Sequence, residues 1–389
     1  MNTNVFRFST AGEIVSGVDA ATALGQIAAT RSSKRVLLLS DANIARSGLL
    51  DAPIVAMQGE GAAVTVVSEV VPEPPSHHVD ELQNRFRSES FDLIVAIGGG
   101  SVLDVAKLLS VLIGAPFRVE DIVGIDKVPS PGIPVAALPT TAGTGSEVTP
   151  NAIVTLVDQQ LKVGIVSRFL LPSVVVLDPA LTVGMPAAVT ASTGIDAFIH
   201  SLESVTSNKA NAMCNAVGFH SMRLIYPSLP RAYRDATDLS ARYDMLLGSM
   251  LGGMALSAAG TTAVHALSYP LGGTYGIPHG VANAMMLLPV MEYNFDTLSD
   301  DFADIPVLLG IEPAETPPRN RAESFLQALR NLVAEVQIPT DLRDFGVSPE
   351  DIDTLSTAAS KVTRLLDNNR KKLSTADIRA MYERAFASA

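Results

Sequence analysis

Four side chains in the second half of the chain have types and spacings that suit a bound metal ion. Asp196 and His200 lie four residues apart, which places both side chains on one face of a helix. His265 lies in a later helical stretch, and His279 begins another after Gly276–Pro278. One carboxylate and three imidazoles form a donor set suited to a divalent ion such as iron(II) or zinc. The pattern therefore predicts a metal site made by these four residues.

The remaining histidines lack this setting. His77 and His78 follow a proline-rich turn, and His220 lies in the middle of a predicted helix. The three ligand candidates instead lie in apolar, glycine-rich surroundings, where an imidazole without a partner would be costly. We therefore interpret His77, His78 and His220 as structural or surface groups.

A glycine turn in the first half suits a bound phosphate. The apolar run 91–97 leads directly into Gly98, Gly99, Gly100 and Ser101, and residues 102–113 have helical composition. Glycines let the backbone approach a phosphate closely, and a helix start offers unpaired N–H groups. A second loop of small polar residues, PTTAGTGSE at 139–147, follows another predicted strand. We expect both loops to leave the carboxyl ends of strands and to bind a dinucleotide, although a plain tight connection is the alternative at the glycine turn.

Asp41 follows the predicted strand at 35–40. A carboxylate in this position can accept hydrogen bonds from an adenosine ribose and repel a 2′-phosphate, which favours NAD over NADP. The alternative is that Asp41 caps the helix predicted near 42–50.

The two halves of the chain predict different secondary structure around these residues. Five β-rich runs alternate with helical segments in the first half, which predicts a parallel sheet flanked by helices, with strands at 35–41, 62–71, 91–100, 133–141 and 173–179. Residues 151–166 read as a hairpin with a polar turn at 158–160. After Pro186 we predict only helices, and the long helical stretches include 187–206, 210–222, 239–257, 279–294, 320–336 and 374–387. The expected fold is an α/β Rossmann-like domain over residues 1–185 and an all-α domain over residues 186–389.

Composition and charge limit the kinds of partner and compartment that we expect for this protein. The formal charge of -12 provides no basic surface for nucleic acid. The single cysteine, Cys214, excludes an internal disulfide, which fits a reducing cytoplasm. The first twenty residues lack the apolar core of a signal peptide, and the sequence has no apolar stretch long enough to predict a membrane span. We expect a cytoplasmic protein with neither nucleic-acid nor membrane partners.

Several long motifs resemble the signatures of the iron-containing (group III) alcohol dehydrogenases. They are GGGSVLDVAK at 98–107, PTTAGTGSEVT at 139–149, DPALT at 178–182, TGIDAFIH at 193–200 and HALSYPLGGTYGIPHGVANAMMLLPVMEYN at 265–294. The resemblance implies the two-domain architecture shared with dehydroquinate synthase, a cleft holding NAD(P) and one metal ion, and a homodimer. It favours Fe²⁺ over Zn²⁺.

The resemblance also assigns residues by position. The metal ligands it implies are the same four residues, Asp196, His200, His265 and His279. The cofactor contacts it implies are Asp41, Gly99, Gly100, Ser101, Thr140, Thr141, Thr149 and Lys162. Asp104 and Lys107 serve either the cofactor site or only the fold around it.

One position departs from the family pattern. Many members carry a histidine four residues after the third metal ligand, where it is thought to relay a proton, and here that residue is Tyr269. A tyrosine can donate a proton, but its pKa is about 10, so it is a poorer proton shuttle at neutral pH than histidine. Tyr269 is therefore either the proton relay or a packing residue.

The expected activity is a metal-dependent, NAD-linked interconversion of a small alcohol and its aldehyde or ketone by hydride transfer. A Ser-Tyr-Pro stretch similar to the one here occurs in hydroxyacid–oxoacid transhydrogenases, so these and 4-hydroxybutyrate-type dehydrogenases are alternatives. Maleylacetate reductases often lack the full ligand set and fit less well. Other classes left open are a lyase of the dehydroquinate synthase type and a non-catalytic nucleotide-binding protein.

Overall fold

The computed structural model describes residues 5–157 and 161–387. The chain divides into two compact units. One consists of residues 10–185, and the other begins at Pro186 and includes the described residues before Thr10.

The first unit is built on a parallel sheet. Its six strands are ordered β1-β9-β6-β4-β2-β3, and all neighbouring pairs are parallel. The strands are β1 (Glu13–Ser16), β2 (Arg35–Leu39), β3 (Ala63–Val67), β4 (Leu93–Gly98), β6 (Val135–Pro139) and β9 (Val174–Leu177). Five of these correspond to the predicted strands, whereas β1 was not predicted.

Both faces of this sheet are buried. Leu37 and Ile94 belong to one apolar cluster, and their neighbours Leu38 and Val95 belong to another, because successive side chains along a strand point to opposite faces. This explains why the strands read as continuous apolar runs rather than alternating ones. The helices of this unit are α1 (Leu24–Thr30), α2 (Ala42–Arg46), α3 (Asp51–Gly59), α4 (Ser76–Arg85) and α5 (Gly100–Leu112).

A second, smaller sheet contains the predicted hairpin. β7 (Asn151–Leu156) and β8 (Leu161–Val166) pair in antiparallel register, and the short strand β5 (Gly124–Ile125) pairs with β8. The hairpin prediction is confirmed for the strands, while the predicted turn at 158–160 lies outside the described residues.

From Pro186 onward the described elements are helices. The longer ones are α6 (Ala187–Thr206), α7 (Ala212–Arg234), α8 (Leu239–Ala259), α9 (Ala263–Tyr275), α10 (His279–Tyr293), α13 (Pro318–Glu335) and α16 (Thr375–Ala387). The shorter ones are α11 (Phe295–Asp300), α12 (Ile305–Leu308), α14 (Ile352–Ser360) and α15 (Thr363–Leu366). The predicted fold class, a Rossmann-like α/β part followed by a helical part, is confirmed.

The helix α7 is longer than predicted. We expect it to end at residue 222, but it continues to Arg234 through Pro227 and Pro230. Packing against α6 and α8 holds the helix together where proline alone would favour a break.

No single helix among the described residues is both long and apolar enough to cross a membrane. Only α8 and α9 taken as a pair meet these limits, and the chain bends by 104° between them.

Candidate metal and cofactor sites

Three helices of the second unit bring the four predicted metal ligands together. Asp196 and His200 lie one turn apart on α6, His265 lies in the first turn of α9, and His279 is the first residue of α10. Asp196, His200 and His265 are buried, whereas the side chain of His279 is 43% exposed. The cluster is thus enclosed on the side of α6 and open on the side of α10.

The donor atoms of the cluster converge on one point. Oδ1 of Asp196 lies 3.7 Å from Nε2 of His200, 3.6 Å from Nε2 of His265 and 3.7 Å from Nε2 of His279. All four donor atoms lie within 4.8 Å of one another. A tetrahedral ion with bonds of about 2.1 Å separates its ligands by roughly 3.4 Å, so the observed spacing fits a single divalent ion.

The electrostatics of the cluster favour positive charge at this point. Burial alone would raise the pKa of Asp196, but the neighbouring His200, His279 and His265 hold it below its ordinary value. Burial alone would lower the pKa of His265, but its contacts with Asp196 and Glu203 raise it to about 9. The site therefore attracts a proton or a metal cation.

Asn283 belongs to the cluster but is not among the predicted residues. It lies four residues after His279 on α10, and its Nδ2 donates to Oδ1 of Asp196 over 2.7 Å. The same Nδ2 is 3.2 Å from Nε2 of both His265 and His279. Its Oδ1 is buried with no hydrogen-bond partner among the described residues. The spacing from His279 is the sequence signal that could have identified Asn283.

Glu203 is the second residue at this site that is not among the predicted residues. It lies on α6 seven residues after Asp196, and its Oε2 is 2.6 Å from Nδ1 of His265. It shares the face of α6 that carries Asp196 and His200, since residues three, four and seven apart lie together on a helix.

Tyr269 lies beside the cluster. Its ring centroid is 6.5 Å from that of His265 and 6.1 Å from that of His279, and the residue is 42% exposed. Partial burial raises the pKa of the Tyr269 phenol, Arg364 opposes the rise, and the carboxylates of Glu203 and Asp196 add to it. The phenol is therefore neutral at physiological pH.

The other three histidines are not part of the cluster. His77 and His220 are exposed, and His78 is half-buried on α4.

In the first unit, the sheet order brings the loops of interest to one edge. β4 lies between β2 and β6, and all three strands run parallel. Asp41 follows β2 and the glycine turn follows β4, so both lie at carboxyl ends of adjacent strands. From β2 the chain continues outward to β3, whereas from β4 it continues towards β6 on the other side. Ligands of open α/β sheets bind at such a switch point.

The glycine turn itself is closely packed. An ideal Cβ at Gly98 would lie 2.5 Å from Val102, and one at Gly100 would lie 2.8 Å from Thr144, so neither position accommodates a side chain. At Gly99 the nearest atoms would be those of Thr141, at 3.6 Å. Gly99 is the N-cap residue of α5, and no side chain caps this helix. The start of α5 therefore presents backbone N–H groups and a positive dipole end suited to a phosphate.

Lys107 and Asp104 tie α5 to the second predicted loop. Nζ of Lys107, which is fully buried, donates to Oγ of Ser146 over 2.7 Å and approaches Oγ1 of Thr149 at 3.3 Å. Asp104 accepts from Oγ of Ser146 over 2.5 Å and from the backbone N–H of Ile153 over 3.0 Å. Of the two readings given for this pair, these contacts favour a role in the fold around the site. Thr140 and Thr149 are both buried at this loop.

Two of the predicted cofactor residues have protein partners. Oδ1 of Asp41 accepts from the backbone N–H groups of Asn43 (2.8 Å) and Ile44 (3.1 Å), so Asp41 does cap α2. Nζ of Lys162 pairs with Oε1 of Glu73 at 2.5 Å.

Ser101 also contacts Glu73. The backbone N–H of Glu73 donates to Oγ of Ser101 over 3.1 Å. The segment around Glu73 therefore links the start of α5 to the hairpin that carries Lys162.

Comparison with known proteins gives the same family for both units. Residues 11–179 match the family described as iron-containing alcohol dehydrogenase, and residues 190–386 match the C-terminal part of the Fe-containing alcohol dehydrogenase family. The chain is 38% identical to long-chain-alcohol dehydrogenase 1 of Geobacillus thermodenitrificans, over 91% of this chain and 90% of that one.

Solved structures similar to this chain point to the same family. A 1,3-propanediol oxidoreductase superposes with a TM-score of 0.94 at 34% identity, covering 98% of this chain and 100% of that one. Sulfoacetaldehyde reductase from Bifidobacterium kashiwanohense, solved in complex with NAD⁺, superposes with a TM-score of 0.92 at 28% identity, covering 99% and 100%. The resemblance seen in the motifs is confirmed. The chain belongs to the iron-containing alcohol dehydrogenase family, whose enzymes interconvert alcohols and aldehydes with NAD and a divalent metal ion.

Proposed function

We propose that Asp196, His200, His265 and His279 hold one divalent ion, with Fe²⁺ favoured over Zn²⁺, and that the enzyme interconverts a small alcohol and its aldehyde or ketone with NAD. The observation that carries this proposal is the convergence of one carboxylate oxygen and three imidazole nitrogens within 4.8 Å. An oxygen and nitrogen donor set of this kind suits both ions.

An ion held at this point supplies Lewis acidity, which lowers the pKa of an alcohol and polarises a carbonyl group. Asp196 is ionised and so offsets part of the positive charge. Because His279 and Tyr269 are the partly exposed members of the site, the substrate oxygen reaches it from their side. The buried residues on α6 and α9 exclude water from the opposite side.

We assign the proton relay to Tyr269. Its phenol is neutral and can donate its proton to a forming alkoxide. During alcohol oxidation it can pass its own proton to water while it accepts the proton of the alcohol. Two observations support this assignment: the ring of Tyr269 lies close to the rings of His265 and His279, and the residue is partly exposed.

The cofactor residues are assigned to the carboxyl edge of the parallel sheet. Gly99, Gly100 and Ser101 bind the pyrophosphate at the start of α5, while Thr140, Thr141, Thr149 and Lys162 complete the site. Asp41 binds the adenosine ribose with the oxygen that does not cap α2 and selects NAD over NADP, because its negative charge repels a 2′-phosphate.

A short hydroxy acid is a second candidate substrate. The exposed Arg364 on α15 lies near enough to Tyr269 to oppose the rise in its pKa, and α15 packs against α9. A guanidinium group beside the site would bind a carboxylate at the far end of the substrate. This would place the enzyme among the hydroxyacid–oxoacid transhydrogenases or 4-hydroxybutyrate-type dehydrogenases.

We further propose that the enzyme is a cytoplasmic homodimer. Two features support a dimer: β1 is an edge strand of the six-stranded sheet, and Ile14 within it and Val18 after it are exposed apolar residues. A single cysteine, which is buried, fits a reducing compartment. Light scattering on the purified protein tests the dimer directly.

The test of the activity is a substrate panel with metal-loaded enzyme, in which NADH formation is followed by absorbance. Primary alcohols, diols and matched hydroxy acids such as 1-butanol and 4-hydroxybutyrate are compared. Net NADH formation from an alcohol supports the dehydrogenase and excludes the lyase. A preference for 4-hydroxybutyrate over 1-butanol would identify the hydroxy-acid class. No turnover with any member, despite bound metal and NAD, would contradict the proposal.

A further inference from the structure

Glu203 is a fully buried carboxylate with three hydrogen-bond donors around it. Burying a carboxylate is costly unless its oxygens are satisfied, so its partners indicate its role. Oε1 accepts from Oγ1 of Thr262 over 2.5 Å and from the backbone N–H of Val264 over 2.7 Å. Oε2 is 2.6 Å from Nδ1 of His265.

All three donors belong to the start of α9. Thr262 is the N-cap residue of this helix, and its side chain makes no capping hydrogen bond to the helix. Oε1 of Glu203 therefore takes the place of the usual cap, at the end of the helix where the dipole is positive. One oxygen caps the helix, and the other contacts a metal-ligand candidate.

The contact with His265 determines which ring nitrogen carries hydrogen. Both oxygens of Glu203 face hydrogen-bond donors, Oε1 the hydroxyl of Thr262 and the N–H of Val264, and Oε2 the Nδ1 of His265. A carboxylate has no hydrogen of its own to donate and can only accept. Nδ1 of His265 must then carry a hydrogen. In the neutral ring this leaves the lone pair on Nε2, which faces Asp196 at 3.6 Å.

We propose that Glu203 is a positioning residue that holds His265 in the Nδ1–H tautomer, with Nε2 directed at the metal position, and thereby sets the affinity of the site for divalent cations. The proposal rests on the four-residue metal site proposed above. It adds a fifth residue that does not touch the ion but fixes the orientation of one ligand.

The variant Glu203→Gln separates this role from packing because it keeps the size of the side chain. A glutamine has only one acceptor oxygen for three donors, which are the hydroxyl of Thr262, the N–H of Val264 and the Nδ1–H of His265. If the carbonyl faces Val264, the NH₂ group faces Nδ1 and favours hydrogen on Nε2, the wrong nitrogen for a metal ligand. If the carbonyl faces His265, the NH₂ group of the glutamine faces the N–H of Val264, so two donors are left in contact at the start of α9.

Thr262→Val is the matched control. It removes the other hydrogen bond to Oε1 and leaves the contact between Oε2 and His265 intact. A residue that only stabilises the start of α9 would affect metal affinity equally in both variants, whereas a positioning residue would not.

The measurement is the dissociation constant for Zn²⁺ of the full-length protein, obtained by competition with a chelating dye, with the thermal midpoint of each variant recorded alongside. We expect Glu203→Gln to weaken Zn²⁺ binding about 10- to 100-fold. We expect Thr262→Val to lower the thermal midpoint without changing Zn²⁺ affinity. Wild-type affinity in Glu203→Gln, or an equal loss in Thr262→Val, would overturn the proposal.

A second measurement does not depend on either variant folding. In the zinc-loaded wild type labelled with ¹⁵N-histidine, the proposal requires His265 to carry hydrogen on Nδ1 and zinc on Nε2. A His265 that lacks hydrogen on Nδ1 would overturn the positioning role while leaving the metal site intact. A wild type that binds no zinc at these residues would overturn the metal site as well.

Discussion

His265 and His279 both face Oδ1 of Asp196, but they differ in their surroundings, because His265 is buried and His279 is partly exposed. We expect either alanine variant to lose the bound metal and to lower turnover by several orders of magnitude, since each removes one of four protein ligands. His265→Ala should also lower the thermal midpoint, because it leaves Glu203 with one unpaired buried oxygen.

Elemental analysis and steady-state rates check this prediction, with His220→Ala as the control on an exposed position of α7. Full metal occupancy in His265→Ala or His279→Ala, together with near-normal rates, would refute the ligand assignment.

The two interpretations of Tyr269, a proton relay or a packing residue, predict different effects of its substitution on the rate of alcohol oxidation. If the phenol relays the proton, Tyr269→Phe should slow alcohol oxidation by roughly ten- to a thousandfold while metal content and NAD affinity stay the same. Tyr275→Phe, on the same helix, should leave the rate unchanged. Rates are compared across pH. An unchanged rate and pH profile in Tyr269→Phe would show that the residue only packs.

The role of Asp41 in the choice between NAD and NADP is better tested by an asparagine variant than by a glycine variant. Because its Oδ1 caps α2, a glycine here would remove a cap as well as a charge. Asp41→Asn keeps a capping oxygen and removes the negative charge. We expect it to raise kcat/KM for NADP while the thermal midpoint changes little. A wild type that already prefers NADP would show that the carboxylate does not face the ribose.

Sequence spacing predicts the four ligand candidates because three are histidines, whose chemistry is conspicuous in an apolar stretch. It misses Asn283 and Glu203, although both lie at same-face distances from His279 and Asp196. An amide or carboxylate in a helix is ordinarily a solvated surface group. Only the packing of α10 against α6 and α9 shows that these two are buried.

Among the elements, the continuous apolar runs predict the central strands well. The exceptions are short: β1 has four residues, three of them exposed, and β5 has two. Such strands form because a neighbouring strand offers hydrogen bonds, and the local sequence pattern does not show where that neighbour lies. The helix α7 is the opposite case, where tertiary packing carries a helix past two prolines.

The loop after β6 provides a test of stability against pH. Burial raises the pKa of Glu147 to about 7, although its own backbone N–H and the charge of Lys107 oppose the rise. Between the ordinary value of 4.5 and about 7, the folded protein keeps a proton that the unfolded chain has lost, so folding should weaken as pH rises through this window. The full effect is on the order of 3 kcal/mol.

We therefore expect Glu147→Gln to raise the thermal midpoint relative to wild type more at pH 8 than at pH 5. Glu60→Gln, at an exposed position, is the control. A Glu147→Gln variant whose midpoint falls between pH 5 and pH 8 as steeply as in the wild type would contradict the assignment of the buried proton to this carboxyl group.

At the scale of the whole molecule, the sequence predicts the fold class because its two halves have different apolar patterns, and the structure confirms that class. The joining of distant segments is harder to predict. Glu203 and His265 are 62 residues apart in the chain, and Asp196 and Asn283 are 87 apart, yet each pair is in hydrogen-bond contact. Long motifs that resemble a family supply this information indirectly, since they imply which segments meet.

A metal titration shows whether one divalent ion held by four residues supports NAD-linked alcohol oxidation. Metal-free protein is titrated with Fe²⁺ without oxygen, and NADH formation from a primary alcohol is measured at each step. We expect the rate to rise linearly and to stop rising at one ion per chain, and we expect a chelator to abolish it. A rate that is independent of added metal and unaffected by the chelator would contradict the claim.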